Sequence, residues 1–331
     1  MKLTHEQIKS IALGASYVEE SDEKTVFHRF TKEQEELYKT VKDSFYNKTF
    51  SSSCIRLEFK TDSKSLFIKT LITPRSSRTF YSIDTFVDGK LVGAIKGNAN
   101  NSECNIAEGC FTLGDSKTQK NVRIHLPWSC SADIIEISID DGATLCPVKK
   151  SRRMIMYGDS ITQGYDADLT SNSYASQLSI SLDAEARNKG IGGEVFRPEL
   201  ARLKDNDFEP DIITVAYGTN DWSDGISEIE LEDKVDKFLS AIANNYPKAK
   251  IFFIAPIWRG DYTDYRPFGS FLEIRSCFYK VISKYPSASL IDGFDFVPKD
   301  SSLFSDKYLH PNDEGFSHYA KNLTDKLIKL L

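Results

Sequence analysis

The chain has 331 residues, of which 40% are hydrophobic and 27% charged, and carries a net charge of −6. That balance describes an ordinary globular protein, long enough for two domains. It leaves no broad basic footprint for nucleic acid or an anionic membrane, and no run approaches the roughly 18 apolar residues of a spanning helix.

The N-terminal residues read as a short amphipathic helix with Leu3, Ile8, Ile11 and Ala12 turned inward. Charge is mixed into its apolar positions and there is no signal-peptide core, so a cytoplasmic protein is expected unless an export signal has been removed. From residue 25 to 139 come short runs with alternating or β-branched and aromatic content: 25–30, 54–59, 66–72, 80–87, 91–95, 122–126 and 134–139. Asp88-Gly89 between two of them is a hairpin signal, and Asp141-Gly142 ends the last. A helix over 32–38 and an exposed polar loop over 98–104 are the interruptions. This half, residues 1–150, is expected to be an antiparallel β-sandwich of jelly-roll type.

After residue 150 the pattern alternates. Strands are expected at 154–157, 184–188, 212–217, 251–254 and 289–291, and helices at 173–182, 228–245, 271–284 and 312–331. Leu231, Val235, Phe238, Leu239 and Ile242 share one helical face, as packing on a sheet requires. Five strands separated by helices predict, for residues 151–331, a flavodoxin-like three-layer α/β/α domain on a five-stranded parallel sheet.

Six cysteines show no C-x-x-C spacing. Reduced thiols are expected, with an extracellular disulfide set as the alternative. No histidine pair stands at zinc-ligand spacing, so no metal is expected.

Four polar segments end or follow strands of the second half. Gly158-Asp159-Ser160 sits behind the apolar run Met154–Tyr157; alone it reads equally as a polar turn. Gly190-Ile191-Gly192-Gly193 follows the second strand, but Val195 occupies the third glycine position of a dinucleotide fingerprint, and no Walker A lysine follows Gly158. Tyr217-Gly218-Thr219-Asn220-Asp221 ends the third strand, where a plain turn is the ordinary reading. Asp306-Lys307-Tyr308-Leu309-His310 precedes the last helix, and His310 is the one histidine in such a loop. A serine at a strand end, a histidine base and neutral donors are the parts that acyl transfer needs.

In this order and spacing the four segments resemble the SGNH, or GDSL, hydrolases, from about Met154 to Leu331. The resemblance implies that Ser160 is the nucleophile and His310 the general base. It places the oxyanion hole at the Ser160 and Gly193 backbone N–H groups and the Asn220 side-chain amide, with Gly192 the fallback. The family usually sets its acid three residues before the histidine, where this chain has Lys307. Asp306, one residue further back, is the expected third catalytic residue, and a backbone carbonyl is the alternative. A sandwich ahead of such a domain is similar to the carbohydrate-esterase branch. Trp222, Trp258 and Arg259, just beyond strand ends, are candidate lining for a substrate pocket; for both tryptophans partly buried packing at a domain seam is an equal reading.

The expected activity is a serine esterase acting on short acyl esters, above all O-acetyl groups of a carbohydrate or glycoside, without metal or organic cofactor. A lysophospholipase or thioesterase on the same triad is the second reading. A sugar-binding protein with an inert second half is the third. The expected partner is a small-molecule or oligosaccharide ester, with no nucleic acid and no membrane.

Overall fold

The computed structural model describes residues 1–100 and 105–331, so most of the loop expected over 98–104 lies outside the described residues. The first half forms two antiparallel sheets. One runs in the order Tyr17–Ser21, Lys24–His28, Cys130–Ile139, Ser65–Pro74, Asn105–Thr112. The other runs Ala12–Leu13, Arg56–Thr61, Lys120–His125, Phe80–Val87, Lys90–Asn98, with Cys146–Pro147 paired on Arg56–Thr61. Alternate residues such as Leu57, Phe59, Ile68, Ile83, Ile124 and Ile137 fill the space between the sheets. Asp88 (φ 47°) and Gly89 (φ 81°) are both left-handed, the geometry that closes a tight hairpin between Val87 and Lys90.

The second half is a five-stranded parallel sheet in the order Ala184–Asn188, Arg152–Gly158, Ile212–Ala216, Lys250–Ile254, Ala288–Ile291. Helices cover both faces, which is why Met154, Ile155, Met156 and Tyr157 form an unbroken apolar run that is fully buried. Strand order reverses between Arg152–Gly158 and Ile212–Ala216, and the crevice beyond their carboxyl ends is where ligands bind in such sheets. Ser160 and Asn220 follow these two strands.

Residues between the first strands belong to the second core. Helices Lys32–Val41 and Asp43–Thr49 carry Tyr38 and Phe45 onto Ile155, Ile191 and Phe196. Buried charges fasten this attachment. The Arg29 guanidinium donates to the carbonyls of Asn188 (2.7 Å), Gly190 (3.1 Å) and Ser51 (2.7 Å). Lys189 meets Asp205 at 2.9 Å and donates to Ser16, Gln34 and the Arg29 carbonyl. Burial pulls Arg29 down to about 9 and Lys189 down to about 8, against the opposing pull of Asp205 on the lysine. Removing one member of such a set strands the others and costs about 3–5 kcal/mol.

Strands Tyr17–Ser21 and Asn105–Thr112 and helix Asp43–Thr49 are additions to the sequence-based expectation. The helix expected over 271–284 splits into a 3₁₀ turn, Phe271–Glu273, and the helix Ile274–Ile282. Among the described residues the five cysteines are free, and no helix is long and apolar enough to cross a membrane.

Candidate active site

The turn after the first parallel strand requires glycine. A Cβ on Gly158 would lie 1.9 Å from Thr162 Oγ1 and 3.0 Å from the Ala216 carbonyl. Asp159 caps the short helix Ser160–Gln163, its carboxylate accepting the Ile161 N–H at 2.9 Å. Burial raises the Asp159 carboxyl to about 6. Ser160 opens that helix, and Gly164, left-handed at φ 103°, ends it.

The Ser160 hydroxyl lies 2.9 Å from His310 Nε2, and His310 Nδ1 lies 2.8 Å from Asp306 Oδ2. The other oxygen, Oδ1, accepts three backbone N–H groups, from Tyr308 (3.0 Å), Leu309 (2.7 Å) and His310 (3.1 Å). Burial disfavours the charged carboxylate, but the bonds from the His310 ring and the Leu309 and His310 N–H groups outweigh it and hold Asp306 well below the usual range. Lys307 adopts φ 61°, and this left-handed residue is the extra one that lets an aspartate four positions back reach the imidazole. Its side chain plays no part in the chain of bonds.

Two further polar segments converge on the serine turn. The Gly192 N–H is already given to Gln163 Oε1 at 2.8 Å, so the fallback donor is occupied. Among the described residues no acceptor takes the Gly193 N–H; Gly193 is left-handed (φ 87°) beside the Phe45 ring. The Asn220 amide gives one hydrogen to the Glu194 carbonyl at 2.9 Å, which keeps the other available. Lys48 anchors the same loop by donating to the Gly192 carbonyl at 2.6 Å.

The sandwich reaches this centre as well. The Tyr165 ring stacks on His310 (centroids 5.6 Å apart) and is backed by Trp128 at 4.9 Å, with Phe80 behind it at 5.5 Å. Arg78 forks onto Asp166, with Nε–Oδ1 at 2.7 Å and Nη2–Oδ2 at 3.2 Å. Beside the triad an open groove of about 410 Å³ is lined by Arg78, Phe80, Asp166, Asp168, Ser305 and Asp306. Asp166, Asp306 and His310 bring three donor atoms within 4.8 Å, yet each already holds a protein partner.

Three residues expected as pocket lining are buried, and for the two tryptophans this matches the packing alternative. Trp222 is fully buried, with its Nε1 given to the Gly269 carbonyl, and Trp258 packs on Phe304. Arg259 is buried too, and donates to Thr219, Ser223, Asp261 and Tyr308. None lines the groove; Arg259 instead ties the Asn220 segment to the His310 loop. The residues missed, Arg29, Phe45, Lys48 and Arg78, lie in the first half, and no local motif marks them.

Residues 156–317 match the GDSL-like Lipase/Acylhydrolase family. The chain carries a domain of that family. No curated protein sequence matches significantly. The fold of this GDSL domain and its sandwich recurs in solved structures. One is the salicylyl-acyltransferase SsfX3 from a tetracycline biosynthetic pathway, 22% identical with TM-score 0.82, covering 96% of this chain and 94% of that one. A family two carbohydrate esterase from Cellvibrio japonicus is 16% identical with TM-score 0.67, with the same coverages of 96% and 94%. An acetyl xylan esterase from Butyrivibrio proteoclasticus is 18% identical with TM-score 0.59, covering 82% and 89%.

Proposed function

We propose that this protein is a serine esterase that removes short acyl groups, above all acetyl, from a carbohydrate or glycoside. The observation that carries the reading is the unbroken chain Ser160 Oγ–His310 Nε2–His310 Nδ1–Asp306 Oδ2, with links of 2.9 and 2.8 Å, beside an open groove.

Ser160 is a weak nucleophile at neutral pH and needs a base within hydrogen-bond reach, which His310 supplies. As Oγ attacks the ester carbonyl, its proton passes to Nε2 and the imidazolium is held by Asp306. The carbonyl oxygen becomes an oxyanion facing the Ser160 and Gly193 N–H groups and the free hydrogen of the Asn220 amide. Each preorganised donor is worth about 3 kcal/mol. His310 returns the proton to the leaving alkoxide and the alcohol departs; a water deprotonated by the same imidazole then attacks the acyl-serine, and the imidazolium gives that proton to Ser160 Oγ as the carboxylic acid leaves.

The groove argues for a polyhydroxy alcohol. Three aspartates, an arginine and a serine line it with one aromatic ring, Phe80. These side chains offer hydrogen bonds to sugar hydroxyls beside an aromatic face, as a carbohydrate site does. The likeness to an acetyl xylan esterase fold supports the same choice. The likeness to an acyltransferase favours one second reading, in which an alcohol rather than water takes the acyl group.

An ester panel tests this. Turnover of acetylated xylo- and cello-oligosaccharides and of p-nitrophenyl acetate is the expected result. Acyl-enzyme that forms but waits for an added alcohol would move the assignment to transfer. Failure to form acyl-enzyme with any ester would overturn the proposal.

A further inference from the structure

The His310 imidazole faces two carboxylates. Asp166 Oδ2 lies 3.7 Å from Nδ1, while Asp306 Oδ2 makes the bond at 2.8 Å. We propose that Asp166 is a second hydrogen-bond acceptor for the Nδ1 proton, held off the imidazole by Arg78 of the sandwich. This rests on the reading of Ser160, His310 and Asp306 given above.

The placement of Asp166 is built. It occupies the left-handed region at φ 69°, which a non-glycine residue enters at a cost. The preceding residue, Tyr165, stacks on the imidazole and is itself pinned by Trp128, so the turn cannot drift relative to His310. The carboxylate side chain is 8% exposed, and both its oxygens are gripped by the Arg78 fork. That fork uses the planar geometry arginine shares with carboxylates. It holds the oxygen just beyond bonding range of Nδ1, at 3.7 Å, and Asp306, braced by three backbone N–H groups, takes the proton in the resting state. The other charges near the imidazole are Asp159, beyond the serine, and Lys48, 6.0 Å from the centroid of the Tyr165 ring. If Asp306 loses its acceptor oxygen, a small turn of the ring brings Nδ1 to Asp166.

The test is a double-mutant cycle. Asp306→Asn keeps the Oδ1 atom that accepts the loop's N–H groups, so the loop stays folded. Its amide opposes one donor to another at Nδ1. Expected losses in kcat are about 10²-fold for Asp306→Asn and under about fivefold for Asp166→Asn. The double variant should lose about 10⁴-fold, the order seen when a triad histidine has no carboxylate. That exceeds the product of the single losses, and such non-additivity marks groups that serve one partner. The low-field proton resonance of Nδ1 should persist in Asp306→Asn and vanish in the double variant, a readout that needs no turnover. A double variant whose loss equals the product, with no protected resonance in Asp306→Asn, would overturn the proposal. Arg78→Gln controls for loss of the ion pair. In the Asp306→Asn background it releases Asp166 to accept the Nδ1 proton, so the low-field resonance should persist; its disappearance, with a kcat fall matching that of Asp166→Asn, would assign the effect to the ion pair instead. Absence of acyl-enzyme in the wild type would strike the esterase reading itself, a different failure from an additive cycle.

Discussion

Lys48 Nζ donates to the Gly192 carbonyl at 2.6 Å, across 144 residues of sequence. A helix that precedes most of the sandwich thus fixes the loop that carries Gly193, the backbone donor proposed for the oxyanion. A charge-assisted bond to a half-buried carbonyl contributes about 1.5–3 kcal/mol. Lys48→Met should keep the stem packed near Phe45 while freeing that carbonyl. Steady-state kinetics should show kcat down about tenfold with KM within twofold. An unchanged kcat would mean that Gln163 alone holds the loop.

Ser160→Ala should abolish turnover and leave the thermal midpoint within about 2 °C, because the hydroxyl bonds only His310 among the described residues. A fluorophosphonate probe should label the wild type and not the variant. Labelling of both to the same extent would place the nucleophile elsewhere.

Acyl length separates the two esterase readings. The groove beside the triad is open and lined by charged side chains and one aromatic ring, Phe80. Rates on p-nitrophenyl esters should be highest for acetyl and at least tenfold lower for octanoyl. A steady climb from acetyl to octanoyl would favour a lipase.

What the sequence revealed follows from where the determining interactions lie. The parallel strands are marked by runs such as Met154–Tyr157, whose burial on both faces leaves no polar position, and their ends carry glycines that no other residue can replace. Local chemistry fixed these, so local reading found them. Strand Tyr17–Ser21 reads Tyr-Val-Glu-Glu-Ser and lies at a sheet edge, where one face and one side meet water and the alternation fades. Arg29, Lys48 and Arg78 are ordinary surface residue types, and their buried or bridging roles exist only once two sequence-distant halves dock. The tryptophans at 222 and 258 read two ways for the opposite reason: a position just past a strand end suits a pocket wall, but the surrounding Arg259, Arg266, Phe271 and Phe304 enclose both.

Lys307 holds the left-handed conformation that brings Asp306 to His310. Glycine adopts that conformation without a Cβ penalty, at the cost of greater freedom in the unfolded chain. Lys307→Gly should therefore leave kcat within about threefold and stability within about 1 kcal/mol. Lys307→Val should lower kcat strongly, because a β-branched residue at φ near 60° is disfavoured and would pull Asp306 away. Kinetics on the pair decides; equal activity in both would show that the turn does not control the acid.

Asp221, next to the Asn220 donor, should make the fold pH-sensitive. Its Oδ1 accepts the Phe196 N–H at 3.2 Å, while Oδ2 is buried with no partner among the described residues. Burial raises this carboxyl from 3.8 to about 7. The native state thus holds a proton that the unfolded chain has already released between those two values. Its stabilising effect is complete below the unfolded value, declines as pH rises, and is gone above about 7. Asp159, raised to about 6 by burial, acts with the same sign in parent and variant and cancels in their difference. Asp221→Asn keeps Oδ1 for Phe196 and cannot ionise. Urea unfolding at pH 5 and pH 8.5 should show the stability difference between variant and parent moving in favour of asparagine by about 2–3 kcal/mol, roughly 1.4 kcal/mol for each pH unit between 5 and 7. Parallel pH profiles for the two proteins would mean that Asp221 is already ionised in the native state at pH 5, its charge met by a partner that the fold supplies.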